Sequence, residues 1–392
     1  MNMSFIKLFR DSLIIAFNKK IFITSSATQW SNELDSTVPL DKGRPRKYFN
    51  ADTDSDDEED GQRPESKDSY RNKAKDHIVA MDVNESHSLL AIATGDKTLY
   101  LFEILEETAN TDRLRLLSRR LVARSSSCMK FAPNGKFLII CDKGGDCYVY
   151  DCVDYGKPGR WVLGHMSQIL DVLIDDEENR IITSDRDEKI RVTKYPVSHE
   201  IESFCLGHTE FVSQLVFLKT PSGQHLLSLS GDKTFRVWTY ERGVEIFQQK
   251  IDHLGTKLTT TQLQDGSTLL AILCYEPTKI IIYRLYSTEP VQVERIQDLH
   301  VKSNEIFSSV VFDRQHNLVA LIIDRNTEEV SQITFRFNQS NTNFVQDSLP
   351  KLFKDERLPY VDTVTFMFKK KFDNIKDYQD RKRKRIEEKG NK

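Results

Sequence analysis

The sequence predicts an all-β fold, a β-propeller of seven blades. The apolar residues alternate with a period of two, which is typical of strands and disfavours a helical solenoid. Short strand-like runs are separated by polar turns, as in antiparallel sheets. The end of one such strand recurs at intervals of 48, 43, 45 and 45 residues, at Phe102, Tyr150, Thr193, Trp238 and Tyr283.

That interval matches the period of about 40–45 residues that is typical of WD-repeat blades. Gly164-His165 and Gly207-His208 each open a repeat, followed by a strand, a polar turn, a second strand, a tight turn with Asp and a third strand. The first blade is expected over Ser12–Ser25. The apolar run Val361–Phe368 is left over, and we expect it to close the ring by pairing with the N-terminal strands, because closure protects exposed edges.

The chain divides into four parts: first-blade strands at 1–30, a charged loop at 31–76, propeller blades with a closing strand at 77–368, and a basic tail at 369–392. The loop contains seven carboxylates within Ala51–Asp60. Self-repulsion and the lack of apolar side chains predict that this loop is disordered.

The tail has eleven Lys and Arg residues against five Asp and Glu, and its apolar spacing allows a short amphipathic helix. Three interpretations of it stay open: a solvated tail, a nuclear import signal, or an arm that contacts RNA phosphates. The residues of its compact basic cluster are Arg381, Lys382, Arg383, Lys384 and Arg385.

Composition limits the function. The formal net charge of the 392 residues is −3, so any electrostatic attraction must be local. No run of eighteen apolar residues is present, which predicts that the protein does not span a membrane. The six cysteines form no Cys-x-x-Cys pair, which argues against a metal site and against a disulfide framework. A reducing compartment follows, and with the basic cluster it predicts the nucleus.

The Gly-His pairs suggest structure, not catalysis. In WD-repeat proteins the His and the turn Asp join a buried hydrogen-bond network with a Ser or Thr and a strand Trp. The residues predicted to form it are His208, Ser230, Asp232 and Trp238 in one blade, and His165 and Asp187 in the blade before it, where Thr193 stands in place of Trp. No phosphate-binding glycine loop, His-Glu-x-x-His or Gly-x-Ser-x-Gly motif occurs, so the chain is predicted not to be an enzyme.

The run Ser184–Val192 carries more charge than a blade turn needs. Strand alternation places Lys189 and Arg191 on one face and the apolar Ile190 and Val192 on the other. Such a surface can dock on a charged partner. The predicted partner-binding residues are Arg191, Lys189, Glu188, Arg186 and Asp185. The alternative is that these charges neutralise one another within the chain.

Ser184–Val192 and the following Ile201–Val212 closely resemble the WD-repeat non-catalytic subunit of the tRNA (guanine-N7)-methyltransferase. The resemblance implies a heterodimer with a Rossmann-fold catalytic subunit, which binds S-adenosylmethionine and methylates guanine N7 in the variable loop of tRNA. It implies that the propeller stabilises that enzyme and assists tRNA docking, and that Arg191 pairs with an acidic residue of it. No cofactor is expected in this chain.

Two other classes of function stay open from the sequence. The first is a generic WD-repeat adaptor, for example the substrate receptor of a ubiquitin ligase, because the fold alone supports it. The second is an enzyme in its own right, for which the sequence offers no catalytic constellation.

Overall fold

The computed structural model describes residues 4–25, 28–41, 77–106, 112–220, 223–286, 288, 290–340, 342–347, 351–360, 362 and 364–368. Within these residues seven antiparallel sheets, each with four strands in sequential order, form the blades of a propeller. A further strand joins the last sheet. The predicted all-β propeller with seven blades is confirmed.

The strands of blades 1 to 4 have the following bounds: β1 Ser4–Phe9, β2 Ser12–Phe17, β3 Lys20–Thr24, β4 Gln29–Glu33; β5 Ile78–Asn84, β6 Leu89–Thr94, β7 Thr98–Ile104, β8 Leu114–Leu121; β9 Ser126–Phe131, β10 Phe137–Asp142, β11 Asp146–Asp151, β12 Arg160–Gly164; β13 Ile169–Ile174, β14 Arg180–Asp185, β15 Ile190–Lys194, β16 Ile201–Cys205.

The strands of blades 5 to 7 have the following bounds: β17 Val212–Thr220, β18 Gly223–Ser230, β19 Thr234–Thr239, β20 Val244–Lys250; β21 Leu254–Gln262, β22 Thr268–Tyr275, β23 Lys279–Tyr286, β24 Gln292–His300; β25 Glu305–Phe312, β26 Leu318–Asp324, β27 Glu329–Asn338, β28 Asn343–Gln346, and the added β29 Lys351–Arg357.

The first strand of each blade contacts the first strands of the two neighbouring blades, so these seven strands surround the axis. The hydrophobic core lies between blades because both faces of an inner strand are covered. Between blades 4 and 5, for example, Ile190 and Val192 pack with the fully buried Trp238. The apolar face of β15 is therefore used within the fold, and its other face is left for the charged side chains.

The ring closes differently from the prediction. β29 pairs with β27 of its own blade. The described residues of the predicted closing strand, 362 and 364–368, do not pair with the N-terminal strands, and 364–368 form a turn. Blade 1 meets blade 7 through side chains instead, where Phe353 packs against Phe17 and Phe22. Val364 packs against Phe211 and Leu254, where two innermost strands begin.

The first blade is longer than expected, since it includes β1 and continues through β4 to Glu33. The start of the predicted disordered loop is also ordered: Leu34 is buried, and the carboxylate of Asp41 accepts the backbone N–H of Arg119 at 2.8 Å. The acidic run Ala51–Asp60 and the basic tail lie outside the described residues.

Cys141 and Cys147 lie opposite each other on β10 and β11 and form a disulfide. The sequence argued against a disulfide framework and did not predict this single pair. Cross-strand register brings the two residues together, and a six-residue spacing does not reveal that register. The free cysteines in the described part, Cys128, Cys152, Cys205 and Cys274, are buried.

The described part of the chain holds no helix of the length and apolar character that a bilayer crossing requires.

Candidate interaction site on the fourth blade

The turn between β14 and β15 is organised by Asp185. One oxygen of its carboxylate accepts the backbone N–H groups of Asp187 at 2.8 Å and Lys189 at 3.0 Å. The other lies 2.9 Å from Nδ1 of His165. Burial alone would raise the pKa of Asp185, but these hydrogen bonds outweigh it and lower the pKa. Asp185 is thus a buried structural residue and not part of a partner surface.

The predicted pairing of His165 with Asp187 is wrong. Both ring nitrogens of His165 have other partners: Asp185 at Nδ1 and the hydroxyl of Thr183 at Nε2, 2.8 Å away. Asp187 is the sequence counterpart of Asp232, yet the carboxylate that faces the histidine here lies two positions earlier. Sequence spacing does not reveal this shift, because the path of the turn decides which carboxylate points inward.

Blade 5 contains the complete network, with one correction. The indole Nε1 of Trp238 donates to Ser228 Oγ at 2.8 Å, Ser228 lies 2.7 Å from His208 Nε2, and His208 Nδ1 lies 2.9 Å from Asp232. The serine is Ser228 and not the predicted Ser230, which instead donates to the carbonyl of Glu210 and accepts the Asp232 N–H.

The hydrogen bonds of this network can run in only one direction, from Trp238 to Asp232. An indole N–H only donates and a carboxylate only accepts, so Ser228 donates to Nε2 and His208 donates from Nδ1 as the neutral ring. Burial lowers the pKa of His208, which favours that neutral ring. Burial would raise the pKa of Asp232, but hydrogen bonds from His208 and Thr234 hold it at about 2. These groups are fixed by the fold, and none is presented to a substrate.

Arg191 is half-buried on β15 and has only neutral partners. Its Nη1 donates to the carbonyl of Gly164 at 3.0 Å and its Nε to Thr193 Oγ1 at 3.1 Å. Among the described residues, no carboxylate lies within ion-pair distance of this guanidinium. Burial lowers the pKa of Arg191, opposed by the charge of Asp185. A cation that has lost part of its hydration without gaining a counter-ion is prepared to bind an external carboxylate.

The matching arginine of blade 5, Arg236, is neutralised by carboxylates of the same chain. Arg236 is buried, and its Nη1 contacts Glu245 Oε2 at 2.6 Å, with Asp232 at 3.6 Å. The alternative interpretation of the charged turn, mutual neutralisation within the chain, thus describes Arg236 and not Arg191.

The other predicted partner-binding residues occupy the same end of the blade. Lys189 is exposed and Arg186 is half-buried, and within the described residues neither forms an ion pair. Glu188 is half-buried in the turn, in the left-handed backbone region with φ 74°. Lys189 and Arg186 therefore extend the positive charge around Arg191.

Two further cations, which sequence reasoning missed, border this site. The guanidinium of Arg124 lies against Gly144, next to the exposed Lys143, and the turn they flank abuts His165 and Ser167 at Gly145. Neither cation forms an ion pair within the part of the chain that the structure describes. The packing of the Gly145 turn against the backbone of His165 and Ser167 places these two cations beside the loop that enters blade 4, which a strand pattern does not reveal.

The fold and this site define a class: a seven-bladed WD40 propeller in which His165 and His208 are structural and Arg191 has no carboxylate partner among the described residues. Two solved propellers share the fold. The β-propeller domain of Cps50 (Swd1) from Myceliophteria thermophila matches with TM-score 0.56 and 13% identity, over 71% of this chain and 87% of that one. A chain of the mitotic checkpoint complex matches with TM-score 0.58 and 11% identity, over 88% of this chain and 86% of that one. At that identity they show the fold alone.

Sequence comparison gives the family. Residues 18–158 and 157–348 match the family described as tRNA methyltransferase TRM82 WD40 domain. The chain is 54% identical, over 99% of its length and 98% of the relative's, to the Aedes aegypti tRNA (guanine-N(7)-)-methyltransferase non-catalytic subunit wuho. It is 52% identical to the Culex quinquefasciatus protein of that name over 98% of both chains, and 36% to the Drosophila melanogaster one over 76% and 72%. The chain belongs to this family of non-catalytic tRNA methyltransferase subunits, which confirms the resemblance seen in the sequence.

Proposed function

We propose that this chain binds and stabilises the catalytic subunit that forms N7-methylguanosine in the variable loop of tRNA, as a heterodimer. The chain itself performs no methyl transfer, and the Rossmann-fold partner binds S-adenosylmethionine. The observation that carries the proposal is the half-buried Arg191, which has no carboxylate partner among the described residues while Arg236 in the next blade has two. A carboxylate of the partner completes the site.

A scaffold of this kind raises activity without touching the reacting atoms. If the catalytic subunit populates its active arrangement only in part, a partner that binds this arrangement selectively increases its population. Each tenfold gain in the active population requires about 1.4 kcal/mol of differential binding, and one well-formed buried ion pair is of that order or larger.

The test is the affinity of the purified catalytic subunit for wild-type protein and for Arg191→Leu. We expect a loss of about 2–5 kcal/mol of binding free energy, because the variant leaves the partner's carboxylate buried and unpaired. Lys194→Leu is the matched control, since Lys194 is an exposed cation on the same strand that already pairs with Glu200 at 2.8 Å. Equal affinity of wild type and Arg191→Leu contradicts the assignment, and a wild-type chain that binds no methyltransferase contradicts the function.

The same proposal includes tRNA docking, which we assign to the exposed cations Arg124 and Lys143. Lysine and arginine side chains without internal counter-ions are suited to phosphates, and each phosphate contact steepens the salt dependence of binding. We expect the double variant Arg124→Gln, Lys143→Gln to leave assembly intact, to weaken tRNA binding by the complex, and to reduce the slope of log K against log salt by about two. An unchanged slope contradicts this role.

The basic cluster Arg381–Arg385 lies outside the described residues, so its role rests on sequence. We propose that it directs nuclear import, contacts tRNA, or both. Replacing these five residues by Gln should move the protein from the nucleus to the cytoplasm or lower its affinity for tRNA. A variant that shows neither of these effects would contradict the proposal.

The adaptor alternative predicts instead that the chain is recovered with a ubiquitin ligase and that tRNA methylation does not depend on it.

A further inference from the structure

The outer strand of blade 4 exposes large apolar side chains beside Arg191. Phe204 lies directly opposite Arg191 in the β15–β16 pair, and Ile201 lies opposite Thr193. Residues opposite each other on antiparallel strands share one face, so Phe204, Ile201 and Arg191 lie on the same face. Phe204 is 39% exposed and Ile201 46%. Met166, in the loop that follows Gly164, is fully exposed.

Blade 5 shows that the fold does not require apolar residues here. The residues opposite Arg236 and Trp238 are Gln248 and Glu245, both polar, and Glu245 forms the ion pair with Arg236. Blade 4 therefore replaces a polar outer face by Ile201 and Phe204 at the same positions. Both side chains keep a large exposed fraction, so the change leaves apolar surface open to a partner.

The free edge of β16 does not offer a place for another strand. The turn of blade 5 at Gly243 lies against the backbone of Phe204, so close that a Cβ on this glycine would clash with the Phe204 carbonyl oxygen. Ser203 also donates its hydroxyl to the carbonyl of Tyr240 in that turn. An occupant must therefore contact side chains and cannot extend the sheet.

We propose that Ile201, Phe204 and Met166 form an apolar seat for the catalytic subunit, around the carboxylate that pairs with Arg191. This inference rests on the proposed function. Charge selects the occupant: a protein surface with an acidic residue set among apolar side chains complements an arginine that shares its sheet face with the exposed Phe204 and Ile201. In a nucleic-acid duplex the phosphates face outward and the bases are stacked on one another, so its charges are not set among exposed apolar groups. Apolar contacts around a central arginine exclude water from the ion pair, as at the energetic centre of many interfaces.

The experiment is calorimetric titration of the purified catalytic subunit into wild type, Phe204→Ser, Ile201→Ser and the double variant, at several temperatures. The matched controls are Val244→Ser and Ile246→Ser, exposed apolar residues on the outer strand of blade 5. We expect each blade-4 variant to weaken binding at least tenfold and the double variant to make the heat-capacity change of binding less negative, because less apolar surface is buried. The blade-5 variants should match wild type.

Two results distinguish a failure of the apolar seat from a failure of the proposed function. If wild type binds the catalytic subunit and the double variant binds with the same affinity and heat capacity, the apolar seat is wrong while the proposed function stands. If wild type does not bind, the proposed function fails as well. A concentration-dependent dimer of this chain that Phe204→Ser abolishes, with unchanged affinity for the enzyme, assigns the surface to a second copy and overturns the inference.

Discussion

Ile201 in blade 4 occupies the position that Glu245 occupies in blade 5. Ile201 lies opposite Thr193 and Glu245 lies opposite Trp238, and Thr193 and Trp238 are equivalent residues of successive blades, 45 positions apart. Glu245 neutralises the arginine of its blade at 2.6 Å, whereas Ile201 cannot. One substitution in an outer strand thus separates an arginine that stabilises the fold from one whose charge stays available for a partner.

The first prediction inserts that carboxylate. Ile201→Glu should pair Arg191 internally, as Glu245 pairs Arg236, and should also place a charge in the apolar seat. We expect the affinity for the catalytic subunit to fall at least as far as in Arg191→Leu, with no loss of thermal stability. The control is Ile201→Gln, which is polar but uncharged and should weaken binding less. If Ile201→Glu and Ile201→Gln bound the catalytic subunit with similar affinity, the introduced carboxylate would not be acting through Arg191.

The second prediction concerns the corrected serine. Ser228→Ala should lower the free energy of unfolding by about 1–3 kcal/mol for each buried group that loses its partner, here the Trp238 indole and the His208 ring. Ser213→Ala is the control, since its hydroxyl is half-buried and donates only to the carbonyl of Leu229. Chemical denaturation of both variants measures the difference, and equal losses would contradict the network.

The third prediction tests how the ring closes. Phe353 is 3% exposed and packs against Phe17 and Phe22 of blade 1. Phe353→Ala should destabilise the protein by about 3–5 kcal/mol, because a large buried ring is removed from the junction of the first and last blades. Phe366→Ala, at a residue that is 63% exposed, should change stability by no more than about 0.5 kcal/mol. A native melting temperature for Phe353→Ala would mean that β29 does not contribute to closure.

The fourth prediction is a pH dependence that comes from Lys257. Lys257 is half-buried on the innermost strand of blade 6, where its ammonium donates to the carbonyls of Ser308 at 2.9 Å and Ser4 at 3.3 Å. Burial, together with the charge of Lys7, lowers its pKa from 10.5 to about 8. Between these pH values the unfolded chain binds more protons than the folded one, so the contribution of Lys257 to stability rises as pH increases from about 8 to 10.5.

Below pH 8 both states are protonated and the penalty of burying the charge is fully present. Lys257→Met should therefore remove the rise in stability over this range, whereas Lys219→Met, at an exposed lysine, should keep it. Denaturation midpoints measured from pH 7 to 10.5 provide the test, and parallel curves for wild type and Lys257→Met would contradict it.

The amino-acid sequence by itself determined the class of fold and the position of the charged turn. Alternation along strands such as Lys189–Thr193 and the recurrence of the pattern at Trp238 are local properties, and seven such repeats bury their apolar faces only as a closed ring. The same alternation placed Arg191 on the polar face of β15, where it lies.

Only the tertiary structure decided which groups meet. Ser228 and Ser230 differ by one pleat on the same face, and Asp185 and Asp187 by two positions in one turn, so strand register and the path of the turn choose between them. Ring closure by Phe353, the disulfide between Cys141 and Cys147, and the absence of a carboxylate beside Arg191 within the described chain all depend on contacts between separate strands. Such contacts arise from packing in three dimensions, and a linear pattern of residue types does not specify them.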